Sequence, residues 1–376
     1  MKVSVITLHT VNNYGSVMQT YATQKVFEKL GCDVEFVDYW RKSNTPDECA
    51  KRLLDSSTMK RLKPIWGLNP FTIKLTVKLL KIFVTNKESQ MRKFIRERVT
   101  LSPTSYYSID DLKDNPPEAD IYVTGSDQVW NSIWNQGLDR AYFLDYAPVG
   151  KPKVSFSASI GRSELERDEM VEMYELLKQY DAISVREASA VQILRDMGLE
   201  AQLILDPTLM LNREEWIEIG KEPRGRKTPY LLIYQLHINP NIDLYADTLA
   251  RAKGWEIVRI GLSRSDKKKI GTTCMNTSVP EFLGLFSHAA CVLTDSFHAT
   301  AFSLNMGTDF ISVLPNSFGT RIESITELTG TKDRILSSYD DLSIADCEIN
   351  KEQVQNILRQ EREKGYAFLR NSINRN

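Results

Sequence analysis

The chain of 376 residues contains only five cysteines, Cys32, Cys49, Cys274, Cys291 and Cys347, odd in number and widely spaced. That spacing fits reduced thiols better than a disulfide framework or a zinc-binding set, with Cys32 and Cys291 beside predicted strands as core residues. No apolar run reaches the ~20 residues that a membrane-spanning helix requires. Met1 to Leu8 lacks the long apolar stretch of a secretory signal, so a cytoplasmic location is expected. Glycine is sparse where a dinucleotide fingerprint would need it: the first loop offers Gly15 alone in place of three. There is no D-x-D motif and no His and carboxylate spacing of a metal site, so no metal or cofactor is expected. The net charge of -1 gives no excess of either sign and argues against general nucleic-acid binding.

The sequence does contain enough apolar residues, 42%, for two ordinary domains. Val3 to Leu8, a helix from Val17 to Leu30 closed by Gly31, and a strand from Asp33 to Tyr39 form a β-loop-α-β opening. Further buried runs follow at Ile121 to Val123, Lys153 to Phe156, Ala182 to Val185 and Leu203 to Leu205. A second series begins at Tyr230 to Leu236, with a helix from Ile242 to Lys253 and a strand from Glu256 to Ile260. Strands alternating with helices predict an α/β fold with parallel sheets covered on both faces. The expected organisation is a Rossmann-like lobe over 1–210, a second over 211–345 and a closing helix within 346–376, read over Lys351 to Leu369. A basic helical insertion is expected at about 41–118. Arg224 to Lys227 reads as an exposed connector.

Between Lys51 and Arg98 thirteen Lys or Arg face only three acids. Helices are expected over Phe71 to Val84 and Glu88 to Arg98. In the first, Lys74, Lys78 and Lys81 share one face while Leu75, Leu79, Ile82 and Phe83 lie off it. Such a helix suits either an anionic membrane surface or an ordinary solvated face over a protein core, and both readings stand at this point.

Polar clusters follow the strands, at the end of the sheet where open α/β folds bind ligands. Asn12-Asn13-Tyr14-Gly15-Ser16 can bend tightly and leave backbone N–H groups free for a phosphate or sugar hydroxyl, or can simply make the turn. Gly125-Ser126-Asp127-Gln128-Val129-Trp130-Asn131 and Ser157-Ala158-Ser159-Ile160-Gly161 repeat the pattern. Arg186 follows Ser184-Val185, and its fork matches carboxylate or phosphate oxygens, although a salt bridge to a neighbouring helix is the competing use. Leu293 to Gly307 reads as strand end and helix, with Asp295 or Ser296 as N-cap and Gly307 as terminator. His298 then stands in the first helical turn, expected to face solvent at an anion site. Arg321 precedes a helix from Ile322 to Leu328 at the same end of the sheet.

In this order the Asn-Asn-Tyr-Gly-Ser loop, the Gly125 to Asn131 block, Ser157 to Gly161, Ser184-Val185-Arg186-Glu187 and Ser296-Phe297-His298 resemble the polysaccharide pyruvyl transferase family. The resemblance runs from the N-terminus to about Arg321. It implies two lobes similar to GT-B glycosyltransferases, with their sheets facing a cleft. It also implies transfer of pyruvate from phosphoenolpyruvate to two sugar hydroxyls as a cyclic ketal, in making a bacterial capsule or exopolysaccharide. The acceptor is then a sugar, free or carried on a lipid at the inner face of the cell membrane. His298, Arg186 and Arg321 become the expected catalytic set. Asn13, Tyr14, Gly15, Ser16, Gly125, Ser126, Asp127, Gln128, Ser157, Ser159, Asp295 and Ser296 are the expected substrate-binding residues. Ser296 departs from the pattern, because characterised members carry arginine two residues before the histidine. A nucleotide-sugar glycosyltransferase on the same fold and a non-catalytic sugar-binding relative are the rival readings.

Overall fold

The computed structural model describes residues 1–41, 44–45, 89–223, 228–315 and 319–374. The expected helix over 71–84 and the connector at 224–227 lie outside the described residues.

The N-terminal lobe is built on β1 (Lys2–Ile6), α1 (Tyr14–Lys29), β2 (Asp33–Tyr39), α2 (Gln90–Arg98), β3 (Leu101–Tyr106), β4 (Ile121–Thr124) and β5 (Lys153–Ser155). Its five strands are parallel in the order β3-β2-β1-β4-β5. Beyond β5, single bridges at Val154–Ala182 and Ala158–Val185 carry the sheet on to β6 (Ser184–Val185) and β7 (Gln202–Leu203). The helix α3 (Ala188–Asp196) joins these last two strands, and the short α4 (Pro207–Met210) follows.

The second lobe repeats the first. It contains β8 (Tyr230–Tyr234), α5 (Pro240–Lys253), β9 (Glu256–Gly261), β10 (Thr272–Met275), α6 (Val279–Ser287), β11 (Cys291–Thr294), α7 (Phe297–Met306), β12 (Phe310–Ser312) and α8 (Thr320–Leu328). The strand order β10-β9-β8-β11-β12 is again all parallel. The closing helix α9 (Lys351–Asn374) runs five residues beyond the expected end and returns to the first lobe. There Arg362 Nε donates to the Leu209 carbonyl at 2.7 Å, while its Nη2 reaches Asn305 Oδ1 at 3.0 Å.

Strands β1, β4, β8 and β11 are mostly apolar and buried along nearly their whole length, because helices cover both faces of each sheet. In each lobe the central pair, β1 with β4 and β8 with β11, marks where the strand order reverses. Loops leaving such a pair part to opposite faces and open a crevice. Two helices start in these crevices, and both are buried almost throughout. All ten residues of α7 are buried, as are thirteen of the sixteen in α1. Neither can be a surface element, since a helix covered on every side belongs to a core. Tyr14 stacks on Phe282 at 4.5 Å and Trp216 packs against both Tyr21 and Phe302, so one apolar cluster passes through both lobes. An apolar interface of this kind resists free lobe motion. Cys32 and Cys291 are buried free thiols, as expected.

Candidate functional site

Four loops meet between the lobes, from the carboxyl ends of β1, β4, β6 and β11. The Asn13 side chain caps α1, accepting from Gly15 N at 2.8 Å and Ser16 N at 3.4 Å. That cap starts the helix at Tyr14, three residues earlier than the apolar pattern from Val17 suggests. Tyr14 crosses to the second lobe and donates its hydroxyl to the Thr277 carbonyl at 2.5 Å. Its own hydroxyl is held protonated, with burial pushing the pKa up to about 12. Gly15 lies directly against His298: a Cβ added there would stand 2.0 Å from the imidazole Nδ1. Ser16 donates to Asp127 Oδ2 at 2.5 Å.

Arg186 is the hub. Its side chain is fully buried and its fork is already engaged, by Asp206 at 2.6 Å and Asp127 at 3.1 Å, with Glu187 at 3.9 Å from Nε. Burial alone would raise both aspartate pKa values, but the adjacent guanidinium overrides it and holds Asp206 and Asp127 below the usual carboxylate range. Burial likewise opposes the charge on Arg186, and its carboxylates reverse that effect. Asp206 also accepts from Ser126 Oγ at 3.0 Å and from the backbone and hydroxyl of Thr208. Asp127 adopts φ +74°, a left-handed conformation uncommon outside glycine, which directs its carboxylate to Arg186, Ser16 and its following N–H.

His298 occupies the first turn of α7 but does not face solvent. It is 7% exposed, enclosed by Gly15 on one side and by Arg186 and Asp206 on the other. Its Nε2 is 3.4 Å from Arg186 Nη1 and 3.7 Å from Asp206 Oδ2. The cause is the packing of α1 against α7, which no local pattern in the sequence records. The N-cap of α7 is Ser296, whose Oγ accepts from Ala299 N, and Gly307 ends the helix in the left-handed conformation. Asp295 has another task. It is buried and accepts from the backbone N–H of Leu236 and His237 and from His237 Nδ1, which pins the loop after β8.

Phe297 lies against two guanidiniums, with Arg186 at 4.9 Å and Arg321 at 5.8 Å from its ring centre. Arg321 differs from Arg186 in one decisive respect. It makes no ion pair among the described residues, although its buried Nε, like that of Arg186, has no hydrogen-bond partner there. Burial, and after it the charge of Arg186, pull its pKa down to about 10, so it remains a cation at neutral pH.

The other expected binding residues are placed nearby but turned to internal work. Ser157 donates to the Leu205 carbonyl at 2.7 Å and Ser159 to Glu187 Oε1 at 3.0 Å, both fully buried. Gly125 packs against Thr7 and Val5, and Gln128 accepts from Asn131 Nδ2. Three members of the cluster receive no site role from the sequence: Asp206, and Glu187 and Phe297, although the latter two stand in its motifs. Asp206 follows the apolar run 203–205 just as Arg186 follows 184–185, so the position after a strand was the available signal. No group of three or more metal-ligating side chains occurs among the described residues.

Two lobes with parallel sheets, joined across a cleft and tied by a returning C-terminal helix, define a GT-B-like protein. In agreement, the chain is similar to UDP-GlcNAc 2-epimerase from Methanocaldococcus jannaschii, at 14% identity over 98% of this chain and 99% of that one, with a TM-score of 0.54. It is also similar to the UDP-GlcNAc 2-epimerase of Neisseria meningitidis in a complex with UDP-GlcNAc, at 10% identity over all of both chains and a TM-score of 0.51. No curated protein sequence matches the chain. The family model of polysaccharide pyruvyl transferases matches residues 13–317, and the chain belongs to that family. It is therefore a transferase.

Proposed function

We propose that the protein transfers pyruvate from phosphoenolpyruvate to two hydroxyls of one sugar residue, forming a cyclic ketal on a bacterial surface polysaccharide or its precursor. The observation that carries this reading is Arg321, a cation that makes no ion pair among the described residues, set over Phe297 at the start of the buried helix that carries His298. Phosphoenolpyruvate brings a carboxylate and a phosphate, and taking it out of water requires compensating charge. Arg186 cannot supply much of it, because Asp127 and Asp206 already occupy its fork. Its role is to neutralise these carboxylates and fix them in place. Arg321 takes the donor's anionic end, and the free N–H groups at the start of α7 add to it. This also accounts for Ser296: the charge carried elsewhere in the family beside the histidine comes here from the next helix.

His298 protonates the methylene carbon of the donor, which builds positive character at the adjacent carbon. A sugar hydroxyl attacks that carbon and returns its proton to His298. Phosphate then leaves and takes the proton of the second hydroxyl, whose oxygen closes the ketal. The acceptor is a sugar, and the excess of Lys and Arg in the sequence over 51–98 suits one carried on a lipid at an anionic membrane.

Titration of phosphoenolpyruvate into wild type, Arg321→Lys and Arg321→Ala tests the donor assignment. The fork is poorly replaced by an ammonium point charge, so affinity falls in that order. Ser296→Arg in the Arg321→Ala background restores part of the loss. If Arg321→Ala binds and turns over the donor like wild type, the assignment is wrong.

A further inference from the structure

A cavity of about 320 Å³ opens on the N-terminal lobe at the carboxyl ends of β1 and β2, and nothing in the reaction above uses it. One wall is apolar, formed by Val17 of α1 with Met91 and Ile95 of α2. The opposite wall is polar and ordered. Buried His9 places Nε2 3.1 Å from Asp38 Oδ1, and the same oxygen accepts from Trp40 Nε1 at 2.9 Å. The Arg92 guanidinium lies 5.0 Å over the Trp40 ring. Thr10 Oγ1 is buried there without a partner among the described residues, and exposed Asn12 stands at the rim.

The volume falls in the range of small-ligand sites, which combine apolar walls with a few converging polar groups. An aromatic ring, a carboxylate, an imidazole and the guanidiniums of Arg92 and Arg96 around an apolar floor match the two characters of a sugar ring, an apolar C–H face and an edge of hydroxyls. A wholly apolar ligand would strand Thr10 and the polar wall. A phosphate would meet the Asp38 carboxylate, whose pKa stays below the ordinary range because its His9 and Ser105 hydrogen bonds outweigh burial.

We propose that this cavity binds a neutral sugar residue of the acceptor, a hexose or N-acetylhexosamine, and sets acceptor specificity. The inference rests on the acceptor half of the proposed function. Placement decides which residue of the acceptor it holds. Val17 faces the cavity, while Gly15 and Ser16 of the same helical turn touch His298 and Asp127. The two sites thus flank one helix, whose diameter with side chains is ~10–12 Å. That distance exceeds a single ring, so the cavity holds the sugar next to the one that receives pyruvate.

Saturation-transfer NMR with glucose, galactose, mannose, N-acetylglucosamine and disaccharides of each tests the assignment. Wild type should show saturable binding of at least one of these probes. Trp40→Ala removes the aromatic wall and should weaken it by about tenfold or more. Asn12→Trp, at an exposed position that does not threaten the fold, should block the mouth and abolish binding. Both variants should bind phosphoenolpyruvate as wild type does. Absence of saturable binding by every probe overturns the proposal, as does sugar binding by both variants as tight as that of the wild type. Loss of donor binding in wild type with retained sugar binding would instead strike the donor reading and leave the cavity's assignment standing.

Discussion

Gly15 makes the contact between α1 and His298 measurable. Replacing it with alanine would put a Cβ 2.0 Å from Nδ1, 2.3 Å from Cγ and 2.5 Å from Cε1 of the imidazole. Ordinary carbon contacts lie at ~3.5–4.0 Å, so the ring must retreat by roughly 1.5 Å. It has nowhere to go, because Arg186 Nη1 and Asp206 Oδ2 stand at 3.4 Å and 3.7 Å on its far side. Overpacking of this kind costs about 1–3 kcal/mol. The opposing term is the helix preference of alanine over glycine, about 1 kcal/mol at an interior position and less in a first turn. Gly15→Ala should therefore destabilise the wild type. In a His298→Ala background the obstacle is gone, and the same substitution should stabilise by ~0.5–1 kcal/mol. The four proteins of this cycle, compared by urea denaturation, should show a coupling of about 1–3 kcal/mol. If Gly15→Ala stabilises the wild type, or the coupling is within error, the imidazole does not rest against α1 and the site is wrongly assembled. Donor turnover should fall in Gly15→Ala as well, since the proton donor is displaced.

Asp206→Asn leaves Arg186 buried with one carboxylate fewer, a change of the kind that costs about 3–5 kcal/mol. Because the folded pKa of Asp206 is depressed, its contribution is fully present above the ordinary carboxylate pKa of ~4 and is lost as pH falls below it. The stability gap between wild type and Asp206→Asn should thus be widest near neutrality and narrow in acid; a gap independent of pH would show that Asp206 is not ionised in the fold. Charge reversal of Lys74, Lys78 and Lys81 to Glu should lower binding to anionic vesicles, and added salt should weaken the wild type's binding. Equal, salt-insensitive behaviour would leave these lysines as a solvated face.

What the sequence discloses and what it conceals divide along the distance of the contacts. The strand, helix and strand around His298 were legible from the apolar runs at 290–293 and 310–314 and from Gly307, because caps and periodicity are local. The choice between Asp295 and Ser296 as N-cap was not, since Asp295 is claimed by N–H groups of a loop 58 and 59 residues away. Arg186 could be picked out by its place after β6, but its partners lie 59 and 20 residues off at the ends of other strands, so the sequence left open whether its fork grips an anion or pairs with carboxylates. Arg321 shows the converse: residue type and placement suggested an available cation, and packing left it without an ion pair among the described residues. The burial of His298 depends on helix α1 crossing from the other lobe. No pattern within 293–307 could announce that contact.

The central claim is the donor. The most direct measurement incubates the protein with phosphoenolpyruvate and a panel of lipid-linked oligosaccharides, following phosphate release and the mass of the acceptor together. The account predicts phosphate released in step with a gain of one ketal-linked pyruvate per acceptor, abolished in Arg321→Ala and reduced ~10²–10⁴-fold in His298→Gln. Indifference to phosphoenolpyruvate combined with turnover of a nucleoside diphosphate sugar, or tight sugar binding with no turnover of either donor, would contradict it.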